Sequence, residues 1–427
     1  MSTLRYELIN ATMNRAISLT DTNIYNDIHK RFEFQKQTVL AVNYNSGTKR
    51  ICENCKQECL ATLYCEYCVR NYLKEDFSNW TSGNDVIDNL IQKCQMESLE
   101  PANIVEWIPY SNLENIKYLT KGGFSEIYTA NWIGGRYDEW DSEKKQLKRF
   151  GNLKVILKKL ENAKSHLTIS NKRAEVVRCY GLTQNPSNGN YMLVMYKMDI
   201  DLRKYLQQNH NQLTWKDRMK IIDEITRALY WIHKEKAVHR DLHSGNILYS
   251  QYNDYWYISD LGFCGPADKS STSIYGNLPY IAPEVIVGRE YTFASDIYSI
   301  AILMWEISSG QPPFINYEHE NDIVMNIING IRPKIVPGTP LEYKNLMKEC
   351  WDADPLKRPN ISALRRRIIR IHLYYQNMSD ELFKSEMDNL EMNKVEENYT
   401  SSSLFTSKIH NFGNLPEPRN ATEGISV

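Results

Sequence analysis

Val238-His239-Arg240-Asp241-Leu242-His243-Ser244-Gly245-Asn246-Ile247-Leu248 is the stretch on which the reading of this chain turns. Its spacing puts one carboxylate, Asp241, and one carboxamide, Asn246, on a single short loop. There the first can accept a proton from a hydroxyl and the second can hold a divalent cation. Alone, such a run lies within the reach of chance in a polar loop. It is followed in order by Asp260-Leu261-Gly262 and by Ala282-Pro283-Glu284, at offsets that a single catalytic segment requires.

Together these motifs resemble the catalytic loop, metal-binding turn and activation segment of protein kinases. On that resemblance Asn246 and Asp260 hold Mg²⁺ (or Mn²⁺), Asp241 aligns the acceptor hydroxyl, and Arg240 is placed to pair with a phosphorylated activation loop. That loop would be supplied by the hydroxyl cluster Ser270-Ser271-Thr272-Ser273-Ile274-Tyr275, which reads equally well as a solvated serine-rich loop. Ser295 to Glu306 reads as a buried helix, with Asp296 where kinases brace the catalytic loop backbone, and Arg358 is the expected ion-pair partner of Glu284. Leu303-Met304-Trp305-Glu306-Ile307 and Cys350-Trp351 are similar to the tyrosine-kinase-like group, including an expanded fungal set that carries H-R-D-L-H-S-G-N and an upstream cysteine-rich module. The resemblance covers about Leu113 to Leu373. It implies an α+β fold of two lobes, a small β-rich N-lobe and a helical C-lobe.

The nucleotide side is less regular. Tyr118 to Tyr128 is similar to a glycine-rich loop between two strands, where residues without side chains let backbone N–H groups approach the phosphates of ATP. Gly122 keeps its place beside Gly123, Thr120 and Ser125 fill the outer positions, and Ile127 stands for a valine. A plain hairpin turn reads as well from these residues alone, and only their position upstream of the catalytic loop decides for the former. Val155-Ile156-Leu157-Lys158 resembles the strand whose lysine holds the α and β phosphates, with Ile156 bulkier than the usual alanine against the adenine. Tyr191 to Met198 resembles the strand and hinge that meet adenine, with Met195 at the gatekeeper place and Tyr196 and Met198 beyond it.

Two departures stand out. From Lys158 to Val176 the chain is short by about three helical turns for the helix that carries the partner glutamate of the lysine. Glu161 is too close and Glu175 falls at the wrong end, so no glutamate is assigned. His243 also stands where serine/threonine kinases carry lysine, a neutral ring replacing a fixed charge.

Upstream, Cys52-Glu53-Asn54-Cys55 and Cys65-Glu66-Tyr67-Cys68 form paired C-x-x-C knuckles, the spacing of a structural Zn²⁺ site. Four thiolates leave no open position for catalysis. Cys59 is a further thiol able to replace one of them.

The chain has 427 residues, with 51 basic and 52 acidic side chains, so no net field favours nucleic acid or an anionic membrane. No apolar leader opens it, and the run about Ile300 to Trp305 is too short for a bilayer, which makes a soluble, cytoplasmic protein the expectation. The expected organisation is a helical segment and linker at 1–50, a Cys₄ zinc knuckle at 51–72, and a short helix and connector at 73–112. A kinase domain follows at 113–373, and a polar, largely disordered tail at 374–427. Residues 136–149, rich in charge, read as an insert in solvent.

The function implied is transfer of the γ-phosphoryl group of ATP to hydroxyls of protein substrates, serine or threonine in preference to tyrosine, among signalling partners. The rival is a pseudokinase scaffold, or an ATP-binding signalling adaptor with little turnover, favoured by the short segment after Lys158, the depleted glycine loop and His243.

Overall fold

Val155 and Leu157 are wholly buried while Ile156 and Lys158, alternating with them, are partly exposed, the period-two pattern of a strand with one face in a core. Each buried aliphatic side chain contributes about 1.5–3 kcal/mol. The computed structural model describes residues 49–59, 64–98, 100–121, 126–160, 163–266, 274–377 and 406–420. Several expectations lie outside the described residues. These are the amphipathic helices ahead of residue 49, Gly122, Gly123 and Ser125 of the glycine-rich loop, Glu161, the hydroxyls at 270–273, and any helix at 378–397. The chain falls into two compact units.

The first unit takes in residues up to Thr81 together with Gln92–Ile104 and Gly135–Gly151. Strands β1 (Arg50–Ile51) and β2 (Glu58–Cys59) pair around one cysteine knuckle, and helix α1 (Glu66–Glu75) begins at Cys65 and carries Cys68 in its first turn. Tyr64, Val69, Leu73, Ile104 and Leu147 form its small core. Leu147 belongs to a hairpin of Tyr137–Asp141 and Gln146–Arg149 whose Trp140 lies against the cysteines and, edge-on at 5.8 Å, against Tyr72. The solvated insert expected at 136–149 is therefore corrected. Its charges occupy the outward positions of a strand pair, while Leu147 and Trp140 alternate inward, a period masked by the lysines and glutamates around them.

In the second unit, α2 (Asp85–Glu97), whose first part belongs here, starts where Asn84 Oδ1 accepts the Val86 and Ile87 N–H groups at 2.9 and 3.3 Å. Six strands then form one sheet: β3 (Glu106–Trp107), β4 (Leu113–Lys121), β5 (Glu126–Trp132), β6 (Leu153–Lys159), β7 (Cys179–Gln184) and β8 (Tyr191–Tyr196), in the spatial order β3-β7-β8-β6-β5-β4. In the register, Lys158 faces Ile127 on one side and Leu193 on the other, and Ile156 faces Thr129 and Met195. Helix α3 (Ala163–Lys172) fills the shortened segment after β6.

The helical lobe is built on α4 (Leu202–Asn209) and α5 (Trp215–Lys234), the latter opened by a reciprocal Thr214–Asp217 capping box. Strands β9 (Ile247–Ser250) and β10 (Tyr255–Ile258) follow the catalytic loop, and β11 (Ile274–Gly276) follows the metal-binding turn. Helix α6 (Phe293–Ser309) is buried from Ser295 to Ser309, as a helix apolar on nearly every face must be. Thr292 and Ser295 cap its start and Gly310, at φ 70°, ends it. Helices α7 (Glu320–Ile328), α8 (Leu341–Cys350) and α9 (Ile361–Asn377) complete the lobe. Among the described residues no helix is long and apolar enough to cross a membrane.

The expected unstructured tail is also corrected for residues 406–420. Strand β12 (Lys408–His410) pairs with β11, and Phe412 and Leu415 pack on the helical core. Main-chain pairing of this kind leaves no mark on composition.

Arg358 meets Glu284 through two parallel bonds of 2.7 Å in a buried setting and also donates to the Asp352 and Ala294 carbonyls. Arg358→Leu strands the Glu284 carboxylate in the core, and a loss of about 3–5 kcal/mol is expected. Urea unfolding of the two proteins measures it. A difference within experimental error contradicts the buried pair.

Candidate active site

The catalytic loop is held from behind. Asp296, in the first turn of α6, accepts the His239 and Arg240 N–H groups at 2.8 and 3.0 Å and meets His233 Nε2 at 2.8 Å. These bonds hold Arg240 in the left-handed region at φ 72°, a conformation that a side chain of this size rarely adopts unaided. The His239 ring accepts the Asp241 N–H at Nδ1 (3.3 Å), so its single proton lies on Nε2, which donates to the Ser259 carbonyl at 3.0 Å.

Two loops are joined in this way. The Asn246 carboxamide donates to the Asp241 carbonyl (2.9 Å) and Oδ2 (3.3 Å), while the Asn246 backbone carbonyl accepts the Ser259 N–H at 2.8 Å and hydroxyl at 3.0 Å. Asp260 follows directly, at φ 58°, and pairs with Lys158 at 2.6 Å. Burial alone would push its carboxyl up, but the Lys158 ammonium outweighs it and holds the group well below the usual carboxylate range.

Asp241 Oδ1 accepts the Asn277 N–H at 3.3 Å and the Ser407 hydroxyl at 2.8 Å. Gly276, at φ 138°, runs so close that a Cβ there would stand 3.4 Å from Asp241 Oδ1.

On the sheet side, Ile156 and Lys158 share a face of β6. Met195 is buried opposite Ile156, Tyr196 donates its N–H to the Arg178 carbonyl at 2.9 Å, and Met198 follows β8, partly exposed. Thr120 pairs with Ile127 across β4 and β5. Arg240 sends its guanidinium over the Tyr291 ring at 5.9 Å.

Residues 163–172, which form α3, include no carboxylate. His166 is buried there beside Lys158, Asp260 and His239, and burial, then the Lys158 charge, lowers its pKa to about 3. Ser165 ties the helix to the metal-binding turn by donating to the Cys264 carbonyl at 2.7 Å. Sequence reasoning missed His166, Ser407 and Glu320, the last of which pairs with Lys408 beside Ser407. The first stands in a helix with no motif, and the other two meet the site only through the fold.

In the first unit, the Cys52 and Cys68 sulfurs lie 3.7 Å apart, those of Cys55 and Cys65 3.6 Å apart, and all four within 4.8 Å of one another. Cys59 groups instead with Cys65 and Glu66. All the cysteines are free of disulfides.

A six-stranded sheet and a helical lobe, with a carboxylate–carboxamide loop braced on a buried aspartate, make the second unit a protein kinase domain. The chain belongs to the protein tyrosine and serine/threonine kinase family, whose model matches residues 113–368. It is 27% identical over 281 residues to the probable serine/threonine-protein kinase roco7 of Dictyostelium discoideum, covering 61% of this chain and 10% of that protein. To the dual serine/threonine and tyrosine protein kinase of Macaca mulatta it is 32% identical over 201 residues, covering 46% and 21%. The human protein of the same name is 34% identical over 178 residues, covering 41% and 19%. These names are consistent with the tyrosine-kinase-like group. The chain spans about a tenth to a fifth of the length of these relatives.

Below its unfolded value of 6.5 the unfolded His166 gains a proton that the folded ring refuses until about pH 3. Its contribution to stability is therefore full above 6.5 and falls as the pH drops through that window. His210, lowered to about 4 by burial and then by Arg218, acts in the same direction. The urea midpoint is expected to fall from neutral to mildly acid pH, and less steeply in His166→Gln. Parallel pH profiles would refute a buried neutral ring.

Proposed function

We propose that the second unit transfers the γ-phosphoryl group of ATP to seryl or threonyl hydroxyls of proteins. The observation that carries the reading is the hydrogen-bonded linkage of Asp241 through Asn246 and Ser259 to Asp260, which is itself paired with Lys158. Because the Asn246 amide turns its N–H side to Asp241, its carbonyl oxygen is left for a cation. With the ionised Asp260 it makes a pair of hard oxygen donors that suits Mg²⁺ or Mn²⁺. Such a cation neutralises charge on the phosphates. Lys158 would bind the α and β phosphates, Asp241 would orient the acceptor and take its proton, and Arg240 would answer a phosphate on the activation segment. Thr120, Gly122, Gly123, Ser125, Ile127, Ile156, Met195, Tyr196 and Met198 would surround the nucleotide.

Serine or threonine is preferred because a seryl oxygen reaches Asp241 in the present geometry, where a phenol would stand a ring's length farther. The relatives' names include serine/threonine kinases and dual serine/threonine and tyrosine kinases. Protein substrates accord with the family, and a cytoplasmic location is part of the same proposal.

The first unit would hold one structural Zn²⁺ on Cys52, Cys55, Cys65 and Cys68. Zn–S bonds of about 2.3 Å make a tetrahedron with edges of about 3.8 Å, close to the sulfur spacing found.

One observation favours a scaffold with little turnover. Helix α3 offers Lys158 no carboxylate, only His166.

Asp241→Asn keeps the shape but cannot accept a proton, and is expected to reduce labelled phosphate transfer to an acceptor peptide by about 10²-fold or more. Equal incorporation by both proteins refutes the enzyme; ATP–Mg²⁺ raising the melting temperature without transfer would establish the scaffold. Elemental analysis after purification without chelator should find about one Zn²⁺ per chain, and stripping it should unfold the first unit. A metal-free protein with unchanged melting rules the site out.

A further inference from the structure

A distal stretch of the same chain occupies the groove in front of Asp241. Ser407 leads into β12, which pairs antiparallel with β11 in the register Gly276↔Lys408, Tyr275↔Ile409 and Ile274↔His410. Its Oγ lies 2.8 Å from Asp241 Oδ1 and 3.0 Å from His243 Nε2, and the residue is 7% exposed. His243 Nδ1 accepts the Gly245 N–H at 3.1 Å, so its proton lies on Nε2 and is donated to the seryl oxygen. The seryl proton is then left to point at Asp241. That is the orientation an acceptor hydroxyl needs just before transfer.

The flanking residues are read by side chains. Lys408 pairs with Glu320 at the start of α7, and His410, buried, donates to the Gly276 carbonyl at 3.0 Å. Farther on, Arg419 donates its N–H to the Ile328 carbonyl at 2.9 Å and Asn420 meets Ala353 and Asp352 at 2.8 and 2.9 Å.

We propose that Ser407 is a phosphorylation site of this chain's own active site, modified in cis, and that the groove selects serine followed by lysine and, two residues beyond that, histidine. The proposal rests on the phosphotransfer reading and adds its substrate. In the step, Ser407 Oγ forms a bond to the γ-phosphorus of ATP and the bond from that phosphorus to the β,γ-bridging oxygen breaks. ADP leaves, and the hydroxyl proton passes to Asp241. A segment serving only as a block would need no hydroxyl here, since alanine fills the same space. Phosphoserine, at about −1.5 to −2 charge, faces the Asp241 carboxylate, so the product is repelled and the groove opens.

The full-length chain is incubated with γ-labelled ATP, Mg²⁺ and a synthetic peptide copying residues 404–413, and modified sites are mapped by mass spectrometry. Phosphate is expected on Ser407 with a first-order rate constant unchanged by dilution, and on the added peptide only after a lag. Glu320→Lys should slow Ser407 modification about fivefold, and adding Lys408→Glu should restore it, an outcome that misfolding cannot imitate. Labelling of the peptide while Ser407 stays bare, a rate that scales with protein concentration, or no rescue by the double reversal overturns the proposal alone. No label on either chain or peptide overturns the phosphotransfer reading together with it.

Discussion

The buried carboxylate of Asp296 is the constraint on which the site depends. One side chain satisfies two consecutive backbone N–H groups and an imidazole, within a core where an unpaired carboxylate would be prohibitive. Its place in the first turn of α6 adds the favourable end of a helix dipole. Because both amide bonds must be made at once, Arg240 is forced into the left-handed region, and that twist is what turns Asp241 toward the groove. From there the geometry passes by hydrogen bonds to Asn246, Ser259 and Asp260, so the two loops behave as one piece. Flexibility at any link would spread the positions of the oxygen atoms that, in the proposed reaction, would meet phosphate and metal, and in phosphoryl transfer positioning is most of the work.

The sheet side is held differently. Lys158 has Asp260 as its partner, and the helix that fills the short segment after β6 brings a neutral histidine, His166, against that pair. A carboxylate there would draw the ammonium toward the helix. Histidine leaves it to Asp260, so the same pair that anchors the lysine would also compete with the proposed cation at that carboxylate. Ser165 ties the helix to the Cys264 carbonyl, and Cys264 in turn donates its N–H to the Leu261 carbonyl beside Asp260, so movement of α3 reaches Asp260 through that turn.

What could be read from the sequence follows the range of the interactions involved. Asp241, Asn246 and Asp260 lie on short loops with fixed spacing, and the buried α6 and the capped α5 carry their own periodicity and caps, so both lobes were legible. The bonds of Asp296 and the Arg358–Glu284 pair were legible only through resemblance, since they join residues far apart in the chain. The hairpin at 137–149 was misread because two inward residues, Trp140 and Leu147, are outnumbered by charges. The Ser407 segment was misread for a stronger reason. Its seat is made of backbone pairing, partly exposed ion pairs, a few side-chain hydrogen bonds and two apolar anchors, none of which needs a distinctive composition.

That seat has a consequence for any other acceptor. Each backbone bond in the β11–β12 pair contributes about 0.5–1.5 kcal/mol, and the Lys408–Glu320 pair, partly exposed, no more. No single contact holds the segment, and a free peptide making the same contacts would bind weakly. A tethered one meets the groove at an effective concentration on the order of millimolar. Covalent attachment, more than complementarity, therefore keeps Ser407 in front of Asp241. Access for a second protein is governed by whatever drives that segment out, and the change with the largest leverage is the one that places negative charge on the oxygen nearest Asp241.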